Sequence, residues 1–184
     1  MLYTRKGDKG TTKTFGCDQR ISKSSIIAEA LGALDEINSF LGFCKVKARK
    51  ENLITSQKIK INQAVHDVQK NLFIIQAELA GASMCIEEAK IKEVESIIDA
   101  IEKELPPIKS FFVSGGTELA SIFDIARGIS RRAERSVIRA KEEGKTPITD
   151  FTLAYLNRLS SLLYAFVRFA NYKAGITEES PDYK

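Results

Sequence analysis

A chain of 184 residues that is 43% hydrophobic and 28% charged has the size and composition of one folded domain, which excludes an intrinsically disordered or collagen-like polymer. Its net charge of +4, from 28 basic and 24 acidic residues, is too small as a bulk property to indicate nucleic acid. One histidine, His66, excludes His-rich zinc sites and the Glu-x-x-His pairs of ferritin-like bundles, and three distant cysteines, Cys17, Cys44 and Cys85, supply neither a disulfide framework nor a Cys-x-x-Cys metal site.

The N-terminal segment, residues 1–24, is rich in Gly, Thr, Ser and Lys without an apolar period, and is expected to be a loop. From Ser25 to Lys50 apolar residues recur every three or four positions (Ile27, Leu31, Leu34, Ile37 or Phe40, and Leu41), the spacing of one helix face, with Ser24 or Ser25 as cap. A second helix is expected over Ile59 to Leu79. A third runs from Ala89 to Leu105 and ends at Pro106-Pro107, which cannot continue it. Thr117 caps a fourth that reaches about Lys141, and Gly144 to Pro147 separates it from a fifth, Thr149 to Ala174. The tail after Gly175 is polar and is expected to be mobile.

Five helices with short connections and no convincing alternating strand predict an all-α bundle in one domain, residues 1–184, with the helical part over 25–174 and a tail at 175–184. No apolar run approaches the roughly 18 residues of a membrane span, and Met1 to Arg5 has no apolar stretch like that of a signal peptide. The expectation is a cytoplasmic protein with reduced thiols and no membrane partner.

Charge is unevenly placed. Arg127, Arg131, Arg135 and Arg139 recur every four residues of the fourth helix and form one stripe about 18 Å long, with Arg132 beside it. That stretch carries five arginines against Glu134, a net +4. Residues 1–23 carry Arg5, Lys6, Lys9, Lys13, Arg20 and Lys23 against Asp8 and Asp18, again +4, which leaves −4 for the rest. Like charges at i, i+4 each destabilise a helix by about 0.2–0.5 kcal/mol, so an anion is expected to offset three stacked pairs; a solvated basic face is the alternative. Arginine's forked donors suit phosphate or carboxylate.

The run Thr4-Arg5-Lys6-Gly7-Asp8-Lys9-Gly10-Thr11-Thr12-Lys13 has what a phosphate loop needs: glycines for close backbone approach, hydroxyl and amide donors, and cations. It is not a Walker A motif. Read as composition alone, it is more often a flexible basic tail; beside the arginine stripe, phosphate binding becomes an equal reading. Asp35 and Glu36 are carboxylates on the flank of the first helix, able to pair with an arginine helix. Ser114-Gly115-Gly116-Thr117, preceded by Phe111-Phe112-Val113, reads as a tight turn with a hydrophobic anchor. His66 and the cysteines read as structural or surface residues.

Several segments together resemble the PduO-type ATP:cob(I)alamin adenosyltransferases. They are Tyr3 to Thr12 with Arg20-Ile21-Ser22-Lys23, then Glu29 to Ser39, Gly115 to Ser121, Ala126-Arg127 with Arg131 to Arg135, and Tyr155 to Ser160, in the family's order over nearly the whole chain.

The resemblance implies a five-helix bundle assembled as a homotrimer, with ATP at the subunit interfaces. It implies transfer of the 5′-deoxyadenosyl group of ATP to cob(I)alamin, with Co(I) as nucleophile and triphosphate as leaving group. Thr4, Arg5, Lys6, Gly7, Thr12, Lys13, Lys23, Arg131, Arg132, Ala133, Glu134, Arg135 and Asn157 are the implied contacts to ATP and its Mg2+, whose protein ligands are left unassigned.

Asp35 and Arg127 resemble a family ion pair across the subunit boundary beside the corrin, and Phe111 matches the aromatic that covers the lower face of cobalt; with Arg131 they are the implied catalytic residues. Tyr164 and Tyr183 are implied as further corrin cover. A cob(II)alamin-reducing protein and an adenosylcobalamin-dependent client enzyme are implied partners. Ser114 stands where many relatives have proline, which predicts a less fixed turn. The competing readings are a non-catalytic cobalamin or ATP carrier and an RNA-phosphate binder; few aromatics near the stripe disfavour the latter.

Overall fold

The computed structural model describes residues 2–14, 20–144 and 146–183; Cys17 and Asp18 lie outside them. Five helices are present: α1 (Ile26–Lys50), α2 (Ile61–Leu79), α3 (Glu88–Glu102), α4 (Glu118–Glu142) and α5 (Asp150–Lys173). Three begin at hydroxyl caps: Ser25 accepts from the Ala28 N–H at 3.3 Å, Thr117 from Ala120 at 3.0 Å and Thr149 from Thr152 at 3.3 Å. α3 stops short of the proline pair because its last turn already unwinds through Leu105.

The N-terminal segment differs from the expected loop. β1 (Thr11–Lys13) and β2 (Arg20–Ser22) pair antiparallel, with Thr12 opposite Ile21. Strands of three residues are too short to show alternation, so hydrogen bonding rather than an apolar pattern defines them.

α4 occupies the centre, packed on α1 and α5, while α2 packs on α1 and α3 on α5. Its inner face is lined by Ala120, Ala126, Ala133 and Ala140, all fully buried, so the neighbouring helices can approach closely. Phe123 of α4 and Phe166 of α5 fill the centre with ring centroids 5.2 Å apart. With one face given to the core, the arginines of α4 are left on the other. Cys44 lies in the core, where burial pushes its thiol up to about 12. His66 is half-buried, its Nδ1 3.4 Å from Lys45 Nζ. Among the described residues, no helix is long and apolar enough to cross a membrane.

Polar ties close the bundle's ends. Glu78, 4% exposed, accepts from the Thr149 N–H at 2.7 Å and from the Thr152 hydroxyl, so a buried carboxylate meets the positive end of α5. Glu104 accepts from Ser56 N–H at 2.5 Å and from Lys173 at 3.0 Å. Burial works to raise its pKa, but the Ser56 and Lys173 bonds prevail and hold the carboxyl below its ordinary 4.5.

A carboxylate whose folded pKa is depressed contributes stability above the unfolded value and loses it as pH falls through the folded value. Glu104→Gln is therefore expected to flatten the fall in Tm below about pH 4.5 relative to the parent chain; identical acid limbs would show that the tie contributes nothing.

Candidate active site

The N-terminal hairpin builds a cationic cavity of about 330 Å³ lined by Thr4, Lys6, Gly7, Thr11, Thr12, Lys13, Arg20 and Lys23. Arg20 braces it: Nε donates to Thr11 Oγ1 at 2.8 Å, and Nη2 donates to the carbonyls of Lys6 at 2.5 Å and Thr11 at 2.7 Å. Arg20 was not among the expected nucleotide contacts, although the sequence places it in the basic N-terminal segment and in the Arg20-Ile21-Ser22-Lys23 stretch that carries the resemblance. Arg5, which was, does not line the cavity and instead lies over the Tyr3 ring at 5.3 Å.

On α4, three of the five arginines in and beside the stripe are neutralised within the chain. Arg127 pairs with Asp124 at 3.3 Å, Arg132 with Glu36 at 2.5 Å and Arg139 with Glu143 at 3.1 Å. Among the described residues, Arg131 and Arg135 have no ion pair, and both are exposed one turn apart. Asn157 of α5 donates to Glu134 at 3.2 Å, which sets it beside this pair. Ala133 is fully buried, so its side chain serves packing. Of the two carboxylates on α1, Glu36 reaches the arginine helix within the chain, whereas Asp35 is exposed and does not meet Arg127 there.

One turn N-terminal to Arg131, Arg127 borders a second cavity of about 550 Å³, walled by residues 108–114 and by Asp124, Ser160, Tyr164, Val167 and Glu178. The Arg127 guanidinium lies 5.8 Å from the Tyr164 ring centroid, and burial raises the Tyr164 pKa. Phe111 lines this cavity with its ring 80% exposed. Tyr183 does not line it and is 84% exposed.

The turn after Phe111 is fixed despite Ser114. Gly115 and Gly116 have φ of 128° and 103°, open to glycine and strained for other residues. Asn171 Nδ2 donates to the Gly115 carbonyl at 2.9 Å, and Asn171 Oδ1 accepts from the Thr117 N–H at 3.0 Å. A Cβ on Gly116 would collide with that Asn171 side chain. Gly116→Ala is expected to lower stability by about 1–3 kcal/mol by strain alone, read as a shifted urea midpoint. An unchanged midpoint would mean that the turn has another conformation.

The family model for cobalamin adenosyltransferases matches residues 2–170. The chain belongs to the cobalamin adenosyltransferase family. It is 35% identical to a corrinoid adenosyltransferase of Citrobacter freundii over 98% of this chain and 97% of that protein. A corrinoid adenosyltransferase of Bacillus subtilis is 34% identical over 95% and 89%. Against the longer PduO corrinoid adenosyltransferase of Citrobacter freundii, 35% identical, the chain spans 50% of the relative's length. An alanine variant of the PduO-type ATP:corrinoid adenosyltransferase of Lactobacillus reuteri, complexed with cobalamin and ATP, superposes with a TM-score of 0.86 at 31% identity, over 98% of this chain and 99% of that one.

The nucleotide contacts expected from the sequence fall in two separate places. Thr4, Lys6, Gly7, Thr12, Lys13 and Lys23 gather at the N-terminal cavity, and Arg131, Arg132, Glu134, Arg135 and Asn157 gather on α4 and α5. Among the described residues, none lines both the N-terminal cavity and the one beside Phe111.

Proposed function

We propose that the chain is a corrinoid adenosyltransferase that moves the 5′-deoxyadenosyl group of ATP onto cob(I)alamin. One observation carries this reading: on α4, Arg127 at the aromatic-walled cavity and the unpaired Arg131 are one turn apart, about 6 Å along the axis. A corrin in the cavity and a triphosphate on Arg131 and Arg135 would then bring cobalt and the nucleotide's 5′ carbon together. The names of the relatives and the ligands of the Lactobacillus protein support the same assignment.

In the reaction, the electron pair of Co(I) forms the Co–C5′ bond as the C5′–O bond breaks. Triphosphate departs with that bonding pair and cobalt ends as Co(III). The protein supplies no nucleophile; its part is to orient the two substrates and stabilise charge on the leaving group. Phe111, at the cavity, would exclude a lower ligand from cobalt and so ease reduction of Co(II) to Co(I). Mg2+ would be carried largely by the triphosphate oxygens, as is usual for nucleotide-bound Mg2+.

The working unit is proposed to be a homotrimer in which the hairpin of one subunit closes over α4 of the next. That arrangement gives Asp35 an Arg127 to meet across the boundary. It lets Thr4, Arg5, Lys6, Gly7, Thr12, Lys13 and Lys23 share one ATP with Arg131 to Arg135 and Asn157. Tyr164, and Tyr183 from the tail, would cover the corrin. A reductant for cob(II)alamin acts upstream, and an adenosylcobalamin-dependent enzyme consumes the product.

Incubation with Mg-ATP and chemically reduced cobalamin is expected to give the light-sensitive spectrum of an alkylcobalamin and to release triphosphate. Folded protein that leaves the cob(I)alamin spectrum unchanged would contradict the reading, and binding of both substrates without turnover would make it a carrier.

A further inference from the structure

The C-terminal tail is tied down, contrary to its expected mobility, and the loop it is tied to carries Phe111. Arg168 of α5, 3% exposed, donates through Nε to Glu178 at 2.9 Å and through Nη2 to the Pro106 carbonyl at 3.1 Å. Its guanidinium also lies 5.2 Å from the Phe112 ring centroid. Further along, the Ser110 and Ser180 hydroxyls are 2.7 Å apart, and the Val113 N–H donates to the Glu179 carbonyl at 2.8 Å.

Phe111 thus sits between anchored neighbours while its own ring is 80% exposed. An exposed ring has no packing to set its direction, so its backbone must do so. A buried arginine answered by one carboxylate, one carbonyl and one aromatic face is a costly arrangement to retain unless it fixes geometry.

We propose that Arg168 and Glu178 are positioning residues, a clamp that holds the tail against residues 106–113 and thereby aims Phe111 into the cavity beside Arg127. The clamp presents Phe111 to the corrin, which rests on the functional reading above, and leaves the ATP half untouched.

The test is a double-mutant cycle between Glu178→Ala and Phe111→Ala, with a chain ending at residue 175 as a second way to open the clamp. Glu178→Ala is expected to slow adenosyl transfer about tenfold, to keep the ATP Kd within about twofold, and to add nothing further in the Phe111→Ala background. Glu178→Gln, which keeps an acceptor for Arg168, is expected to recover part of the rate. Additive losses, or unchanged rates in both Glu178→Ala and the shortened chain, would overturn the proposal. Hydrogen exchange at Val113 reads the clamp without turnover. Faster exchange in Glu178→Ala is expected even if the wild-type chain proves unable to adenosylate cobalamin, and unchanged exchange would overturn the clamp itself.

Discussion

Arg131→Ala is expected to reduce adenosyl transfer by about 10²–10³-fold, the cost of removing one donor aimed at developing charge in a water-poor site. The choice of Arg131 over Arg127, Arg132 and Arg139 follows from pairing; Arg135 is equally without an ion pair among the described residues but lies a turn farther from the cavity that Arg127 borders. Arg127, Arg132 and Arg139 each answer a carboxylate of the same chain, whereas Arg131 is exposed and without one among the described residues. An unpaired guanidinium flanked at i−4 and i+4 by Arg127 and Arg135 costs the helix stability. The same substitution is therefore expected to leave Tm unchanged or slightly higher, as two like-charge pairs of about 0.2–0.5 kcal/mol each are relieved. Arg131→Lys is expected to recover little, because an ammonium cannot offer the fork that grips two phosphate oxygens. Wild-type turnover in Arg131→Ala would return the stripe to a solvated basic face.

Phe111→Ala is expected to lose turnover by about 100-fold, the scale of a misplaced reacting centre, while ATP binding and stability stay near those of the parent. Stability is spared because the ring is 80% exposed and contributes little to the core. Phe112→Ala should behave oppositely. Phe112 lies over Arg168, so its loss exposes a buried cation and shows first in the unfolding midpoint. Calorimetric ATP titration and urea unfolding of the two variants separate these outcomes. Equal destabilisation by both would contradict the distinct roles given to adjacent phenylalanines.

The helices were legible because burying one face imposes a period, and all five begin and end within a few residues of where apolar spacing and capping hydroxyls put them. Of Ser24 and Ser25 it is Ser25 that caps α1, Thr117 caps α4 as expected, and Thr149, expected only as the start of the fifth helix, caps α5. The arginine stripe was legible for the same reason, as a period of four on one helix.

What escaped the sequence is polar and distant. Glu78 reaches Thr149, Glu104 joins Ser56 to Lys173, and Asn171 closes the glycine turn where proline was missed; none of these pairs leaves a local pattern. The tail looked mobile because its composition is polar, yet the bond from Arg168 to Glu178, the Ser110–Ser180 hydroxyl pair and the backbone bond between Val113 and Glu179 tie it to the loop. Which arginines are neutralised could not be read either, since Glu36 and Arg132 meet only once α1 packs on α4.

In the proposed trimer one nucleotide site is assembled from the hairpin of one chain and α4 of another. Co-expression of Arg131→Ala and Lys13→Ala chains, each expected to be nearly inactive alone, tests this directly. In a closed ring of mixed subunits some interfaces receive an intact hairpin from the first chain and an intact α4 from the second. Random mixing in equal amounts then predicts activity of about one quarter of wild type. Mixed assemblies as inactive as either parent would contradict the claim and place both halves of the site in a single chain.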